Sequence, residues 1–179
     1  DPQSLLSANI FFDMRAFYGY ATLVERLADR ISPLAQANVR FCKQMADNAL
    51  TNQPPLNWLG RIEGARVDLK RAGAMPFSDA ARLLALAHGV RATSTRERLL
   101  ALCPILHVSV EEVNNWIEAF EFTQMLRLRH QHARLSRPQS DQSENENVNE
   151  ISVESLSNLD SRLLREAFRQ ARKLQQRLE

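Results

Sequence analysis

Cysteine is scarce in this 179-residue chain, and neither Cys42 nor Cys103 stands at metal-ligand spacing or beside a histidine in a recognisable catalytic motif. Their apolar neighbours predict buried thiols in a reducing compartment. No apolar run approaches the ~18 residues of a membrane span, and no signal peptide is recognisable, so the expected location is cytoplasmic with no membrane partner. The four histidines, at 88, 107, 130 and 132, lack zinc spacing to Cys or Glu, and His130 and His132 point to different sides of a helix. No hydrolytic constellation is present. Charge of one sign is also missing: 23 basic against 21 acidic residues give a net charge of +2, which excludes a general nucleic-acid footprint. There is no internal repeat, and strand signals are too short to build a sheet.

What remains is helical. At 44% hydrophobic the chain holds enough apolar material for one core, and residues 1–179 read as a single domain. Leu5 to Tyr18 is apolar on several faces and ends at Gly19. Thr22 to Ile31 resumes a helical stripe, and Pro33 separates it from a further helix over Leu34 to Leu50. Thr51 to Val67 has no clear period and reads as a long irregular connection, with a short extended piece at Trp58–Ile62 or Ala65–Leu69. Ser109, with Glu112 at the capping-box position, starts a long helix that runs to about Leu135. Residues 136–150, rich in Ser, Gln, Glu and Asn, cannot bury a core and read as a mobile polar loop. A last helix begins near Ser157 and carries Leu159, Leu163, Ala167, Gln170, Leu174 and Leu178 at a period close to 3.5. The predicted architecture is all-α, a mainly up-and-down helical bundle.

Function points to the stretch Asp68 to Leu99. Asp68, Lys70 and Arg71 precede the Gly73 and Pro76 breakers, which puts them on a loop or at the mouth of the next helix. That helix is expected from Pro76 to Gly89, with Phe77, Ala81, Leu84 and His88 as one stripe and small residues elsewhere that permit close packing. A second short helix is expected to be capped by Thr95. It carries Arg96 and Arg98 in its first turn, where cations oppose the helix dipole. From Arg61 to Leu100 there are eight basic and four acidic residues, while Asp141 to Asp160 has six acidic and no basic ones. The local positive field suits a phosphate-bearing ligand, and a helix N-terminus with two adjacent cations is a competent phosphate site.

Three motifs then occur in order: N-I-F-F-D-M-R-A-F-Y-G at Asn9 to Gly19, D-L-K-R-x-G-x-x-P-x-x-D-x-A-R-x-L-A-L from Asp68 followed by T-x-T-x-x-R-L, and E-A-F-E-F-T-Q-M-L-R-L-R-H-Q at Glu118 to Gln131. Together they resemble the C-terminal substrate-binding domain of nucleotidyltransferases that also carry CBS or cyclic-nucleotide-binding modules, over about Pro2 to Leu178. A more distant likeness is to the helical region of the uridylyltransferase and adenylyltransferase enzymes of nitrogen regulation, with Met75-Pro76 replacing their Gly-Gly pair. The resemblance implies a separate catalytic domain with a Gly-Ser turn and an Asp-x-Asp pair holding Mg2+ and a nucleoside triphosphate. Neither signature occurs here, so this chain is expected to be a non-catalytic part of a larger enzyme, with no cofactor of its own. The implied partners are that catalytic domain and CBS or cyclic-nucleotide-binding domains of the same polypeptide, a protein acceptor, and a second copy in a homodimer. The resemblance also marks Asp13, Arg15, Asp68, Lys70, Arg71, Arg82, Arg98, Arg127 and Arg129 as substrate- or nucleotide-binding residues, converging on one face.

Duller roles remain open for these residues. Asp13 and Arg15 also fit a local ion pair, His88 a packed residue bonded to the last helix carbonyls, and Arg127, Arg129, His130 and Gln131 a basic helix end complementing its dipole. A regulatory or protein-docking module, using the apolar first helix, Trp58 and Trp116, is the alternative function.

Overall fold

A computed structural model of the protein describes residues 9–136 and 147–179. The start of the first expected helix and most of the polar loop, residues 1–8 and 137–146, lie outside the described residues. The chain is predominantly helical: α1 (Ala21–Ala37), α2 (Val39–Ala49), α3 (Met75–Ala87), α4 (Thr95–Leu102), α5 (Val110–Leu135) and α6 (Asn158–Gln175). A π-helical turn, Leu69–Ala74, runs into α3 without a break. The expectation of no sheet gives way to a two-stranded antiparallel ladder, β1 (Arg66–Asp68) on β2 (Glu150–Ser152), so the polar loop ends by Glu150.

Caps fix the helix starts. Ser109 Oγ accepts from the Glu112 N–H at 3.0 Å, and Ser157 Oγ accepts from the Asp160 N–H at 3.0 Å, satisfying donors that an uncapped first turn would strand. For α4 the cap is Ser94, one residue before the expected Thr95. The break expected at Pro33 falls instead at Asn38, whose Oδ1 accepts from the Phe41 N–H and caps α2. Pro33 stays inside α1, which buries no residue, so the carbonyl deprived of its partner meets water. The N-terminal helix ends earlier than expected: residues 9–12 are helical, and Phe17 and Tyr18 are fully exposed.

The core forms around α3, whose Phe77, Ala80, Ala81, Leu84 and Ala85 pack with Leu99 and Leu102 of α4, Trp116 and Ile117 of α5, and Leu174 of α6. A second cluster joins the ladder (Val67, Ile151) and the π turn (Leu69) to Leu126 of α5 and to Leu164 and Phe168 of α6. The buried face of α6 therefore differs from the expected stripe in its first half, where Leu159 and Leu163 are exposed and Leu164 and Phe168 are buried. Leu164 and Phe168 each lie one residue, about 100° of helix, round from Leu163 and Ala167, and pack on the ladder and the π turn. The irregular connection is anchored on α6, where the Arg172 guanidinium donates to the carbonyls of Pro54 and Leu56 and buried Gln175 donates to those of Ala49 and Asn52. Gly73 lets the π turn touch α5: a Cβ there would lie 2.2 Å from Thr123 Cγ2.

Candidate functional site

Two polar clusters take up most of the residues singled out by sequence. The first sits where residues 9–14 cross α3 and α4. Arg82 points its Nε and Nη2 at Asp13, with Nη2 2.7 Å from Oδ2, and its Nη1 meets Asp79 Oδ1 at 2.6 Å, one turn back on α3. Arg98 brings Nη1 to 2.8 Å from Asp13 Oδ1, donates Nη2 to the Phe12 carbonyl, and donates Nε to the Ala92 carbonyl. Asp13 thus pairs across the fold, and the local Asp13–Arg15 pair does not form. The cations are nearly sealed, with Arg82 13% and Arg98 4% exposed at the side chain, against 39% for Asp13.

These contacts set the titration. Burial alone would raise the Asp13 carboxyl, but the bonds and charges of Arg82 and then Arg98 outweigh it and hold Asp13 below its ordinary value. Asp79 goes the other way. Burial dominates, Arg82 offsets it only in part, and the Asp13 charge adds to the rise. Asp79 Oδ2 is buried with no hydrogen-bond partner among the described residues. Burial works against both arginines. The two aspartates overcome it at Arg82, which is raised, whereas at Arg98 the Asp13 bond does not, and the Arg82 charge lowers it further. Beside this cluster lies a cavity of about 60 Å³ bordered by Arg82, Arg98, Phe12 and Met14. That is room for a few waters or one small group, far below the roughly 300–1,000 Å³ of a site enclosing a drug-sized ligand.

The second cluster surrounds the π turn. Asp68 Oδ1 accepts from the Lys70 and Arg71 N–H groups, both at 2.9 Å, and Oδ2 accepts from Asn147 Nδ2 at 2.8 Å. Asn147 Oδ1 accepts from the Asn149 N–H, and Asn149 Oδ1 accepts from Gln131 Nε2 on α5. The Asp68-to-Arg71 segment is therefore the entry of a helical turn and not a loop. The backbone donors that a phosphate would take are already bonded to Asp68. What the turn offers outward is two exposed side chains, Lys70 and Arg71.

Of the nine residues singled out, Asp13, Arg82 and Arg98 are brought into contact with one another. Asp68, Lys70 and Arg71 share the π turn. Arg129 stands 4.0 Å from Asp160, and the side chains of Arg15, Lys70, Arg71 and Arg127 make no hydrogen bond or ion pair among the described residues. His88 is exposed at the end of α3 and not packed on its stripe. Sequence reasoning missed Asp79, whose i, i+3 spacing to Arg82 was a readable signal, and Asn147 and Asn149, which a polar tract concealed.

Of two larger grooves, one is acidic and the other of mixed charge. One of about 350 Å³ between α5 and α6 is edged by Glu118 and Glu166, and one of about 590 Å³ between α2 and α3 mixes Lys43, His88 and Arg177 with Asp47 and Glu179. Both cysteines are half-buried and unpaired. Among the described residues no group of three His, Cys, Asp or Glu is placed to hold a metal, and no helix is long and apolar enough to cross a membrane.

Residues 39–179 match the family model described as "Putative nucleotidyltransferase substrate binding domain". The match leaves Asn9 to Gly19, and with it Asp13, outside its range. No curated protein matches the chain, and no solved structure does.

Proposed function

Since the chain belongs to the nucleotidyltransferase substrate-binding domain family, we propose that it presents an anionic substrate, the phosphate of a nucleoside triphosphate or an acidic acceptor, to a separate catalytic domain of the same polypeptide. That catalytic domain supplies Mg2+ and the transfer chemistry. This chain supplies the surface around the π turn. The observation that carries the reading is the fixed Asp68 carboxylate, which uses three hydrogen bonds to lock the turn while Lys70 and Arg71 project from it with no partner among the described residues. A turn held in advance presents two cations at low ordering cost, and π turns of this kind are frequent at functional sites.

The test uses the parent polypeptide with labelled ATP, UTP, GTP and CTP in Mg2+. Lys70→Ala with Arg71→Ala is expected to lower transfer at least tenfold while leaving the melting temperature within about 4 °C, because exposed charges contribute at most about 1 kcal/mol to folding and each kcal/mol shifts a domain of this size by roughly 2–4 °C. Full transfer by the double variant refutes the role of these cations. The isolated chain is expected to transfer nothing. A second reading, a docking module in a CBS-domain signalling protein, is favoured by the exposed Phe17, Tyr18, Tyr20 and Trp58. It would show as partner binding that persists without nucleotide.

A further inference from the structure

The Asp13 cluster is built in a way that a simple ion-pair staple does not require. Arg82 and Arg98 come from adjacent helices and are held by the bundle itself, through Asp79 Oδ1 and the Ala92 carbonyl. The carboxylate between them comes from a short stretch whose Phe12 ring packs on Phe41, while Ile10 and Phe11 before it and Phe17 and Tyr18 after it are exposed. Asp13 itself is 39% exposed, so the pair of buried cations opens to solvent at the point where Asp13 stands. With Asp13 in place, two arginines face two aspartates and the cluster is neutral. With Asp13 withdrawn, Arg82, Arg98 and Asp79 leave one net positive charge in a low-dielectric setting that favours an incoming anion.

We infer that Arg82 and Arg98 form an anion clamp for a phosphoryl group, and that Asp13 is its internal occupant, a strap that a phosphate-bearing ligand displaces. Planar guanidinium forks recognise carboxylate and phosphate with the same paired N–H geometry, which is why Asp13 can stand in for the ligand. The neighbouring cavity of about 60 Å³, bordered by both arginines, gives the bulkier tetrahedral group the space a carboxylate leaves empty, and keeps any nucleoside outside. Phe12 closes the clamp through its carbonyl on Arg98 Nη2, so release of Asp13 and of the Phe12 backbone is one event. The clamp is distinct from the π-turn surface and stands whether or not that surface binds substrate.

Inorganic phosphate and AMP are titrated at constant ionic strength into the chain and into Asp13→Ala, each also in a Lys70→Ala, Arg71→Ala background that removes the π-turn cations. Asp13→Ala is expected to bind phosphate at least tenfold more tightly than the parent in both backgrounds. AMP binding tighter than phosphate would assign a nucleotide as the source of the anion, and equal binding the free ion. Equal phosphate affinity with and without Asp13, in chains of unchanged helical content, overturns the inference. Should Asp13→Ala fail to fold, amide exchange on the unmodified chain decides: phosphate is expected to speed exchange at Phe12 to Arg15, and unchanged exchange at saturating phosphate overturns the strap.

Discussion

Replacing Gly73 by Ala tests the contact that fixes the π turn on α5. A Cβ built at Gly73 falls 2.2 Å from Thr123 Cγ2, with Thr123 Cβ at 3.5 Å and Phe168 Cε1 at 3.7 Å. Thr123 is fully buried, and its Oγ1 is bonded to the Ala119 carbonyl at 2.8 Å, so the methyl can swing away only by breaking that bond. Overpacking of this kind costs about 1–3 kcal/mol, and the broken hydrogen bond adds about 0.5–1.5 kcal/mol. Against this, Ala restricts the unfolded chain and returns about 0.4–1 kcal/mol. The clash wins, leaving a net loss of about 2 kcal/mol, or a melting point lowered by roughly 4–8 °C for a chain of this length. Thr123→Ser removes the offending methyl and alone costs about 1 kcal/mol for one buried carbon. In the double variant the new Ala methyl occupies the vacated space, so the two losses do not add, and the pair should be only about 1 kcal/mol below the parent. Equilibrium urea unfolding followed by circular dichroism measures all four proteins. Additive losses, or a Gly73→Ala variant within 0.5 kcal/mol of the parent, would refute the close approach as the reason for glycine.

The two aspartates on Arg82 should respond to acid in opposite ways. Asp13 is held below its ordinary 3.8, so its contribution is complete above that value and is lost as pH falls through its lower folded value; Asp79 is raised, so the cost of its charge is present above its folded value and relieved on protonation. Asp13→Asn should therefore destabilise at pH 7 by about 1–2 kcal/mol, less than a fully buried pair because the carboxylate is part-exposed, whereas Asp79→Asn should leave stability unchanged or raised; the reverse order in urea unfolding at pH 7 would contradict the assignment. Removing the Ser109 or Ser157 hydroxyl by Ala should cost about 1 kcal/mol each, and no loss in either would mean that the cap bonds are not formed in solution. On α6, Leu164→Ala should cost about 2–5 kcal/mol and Leu159→Ala under about 0.5 kcal/mol, so equal losses would restore the heptad face rejected above.

Capping chemistry is local, and it was readable: Ser109 with Glu112, and Ser157 with Asp160, placed the starts of α5 and α6 from four residues each. Class followed from period in the same way. The errors fall where a long-range contact overrode a local rule. Gly73 and Pro76 signal a break, yet packing against Thr123 and α5 turns that signal into a π turn that runs on into α3. Pro33 signals a break too, but α1 is exposed enough for water to take the freed carbonyl, so the helix continues. Asp13 and Arg15 are neighbours in sequence, whereas the partners Asp13 finds lie 69 and 85 residues on, a pairing no spacing rule can supply. The same reasoning separates the two polar clusters. At the π turn every anchoring bond ends on Asp68 and its asparagine partners, leaving Lys70 and Arg71 open to a ligand, which is what a substrate-facing surface needs. At the Asp13 cluster the cations are already satisfied, so a ligand there must first outcompete the chain's own carboxylate, and its affinity is reduced by the fraction of time the strap is closed. If both proposals hold, the π-turn face would bind at once and the Asp13 cluster only on release, and the two should be distinguished by whether mutation of Asp13 changes phosphate affinity.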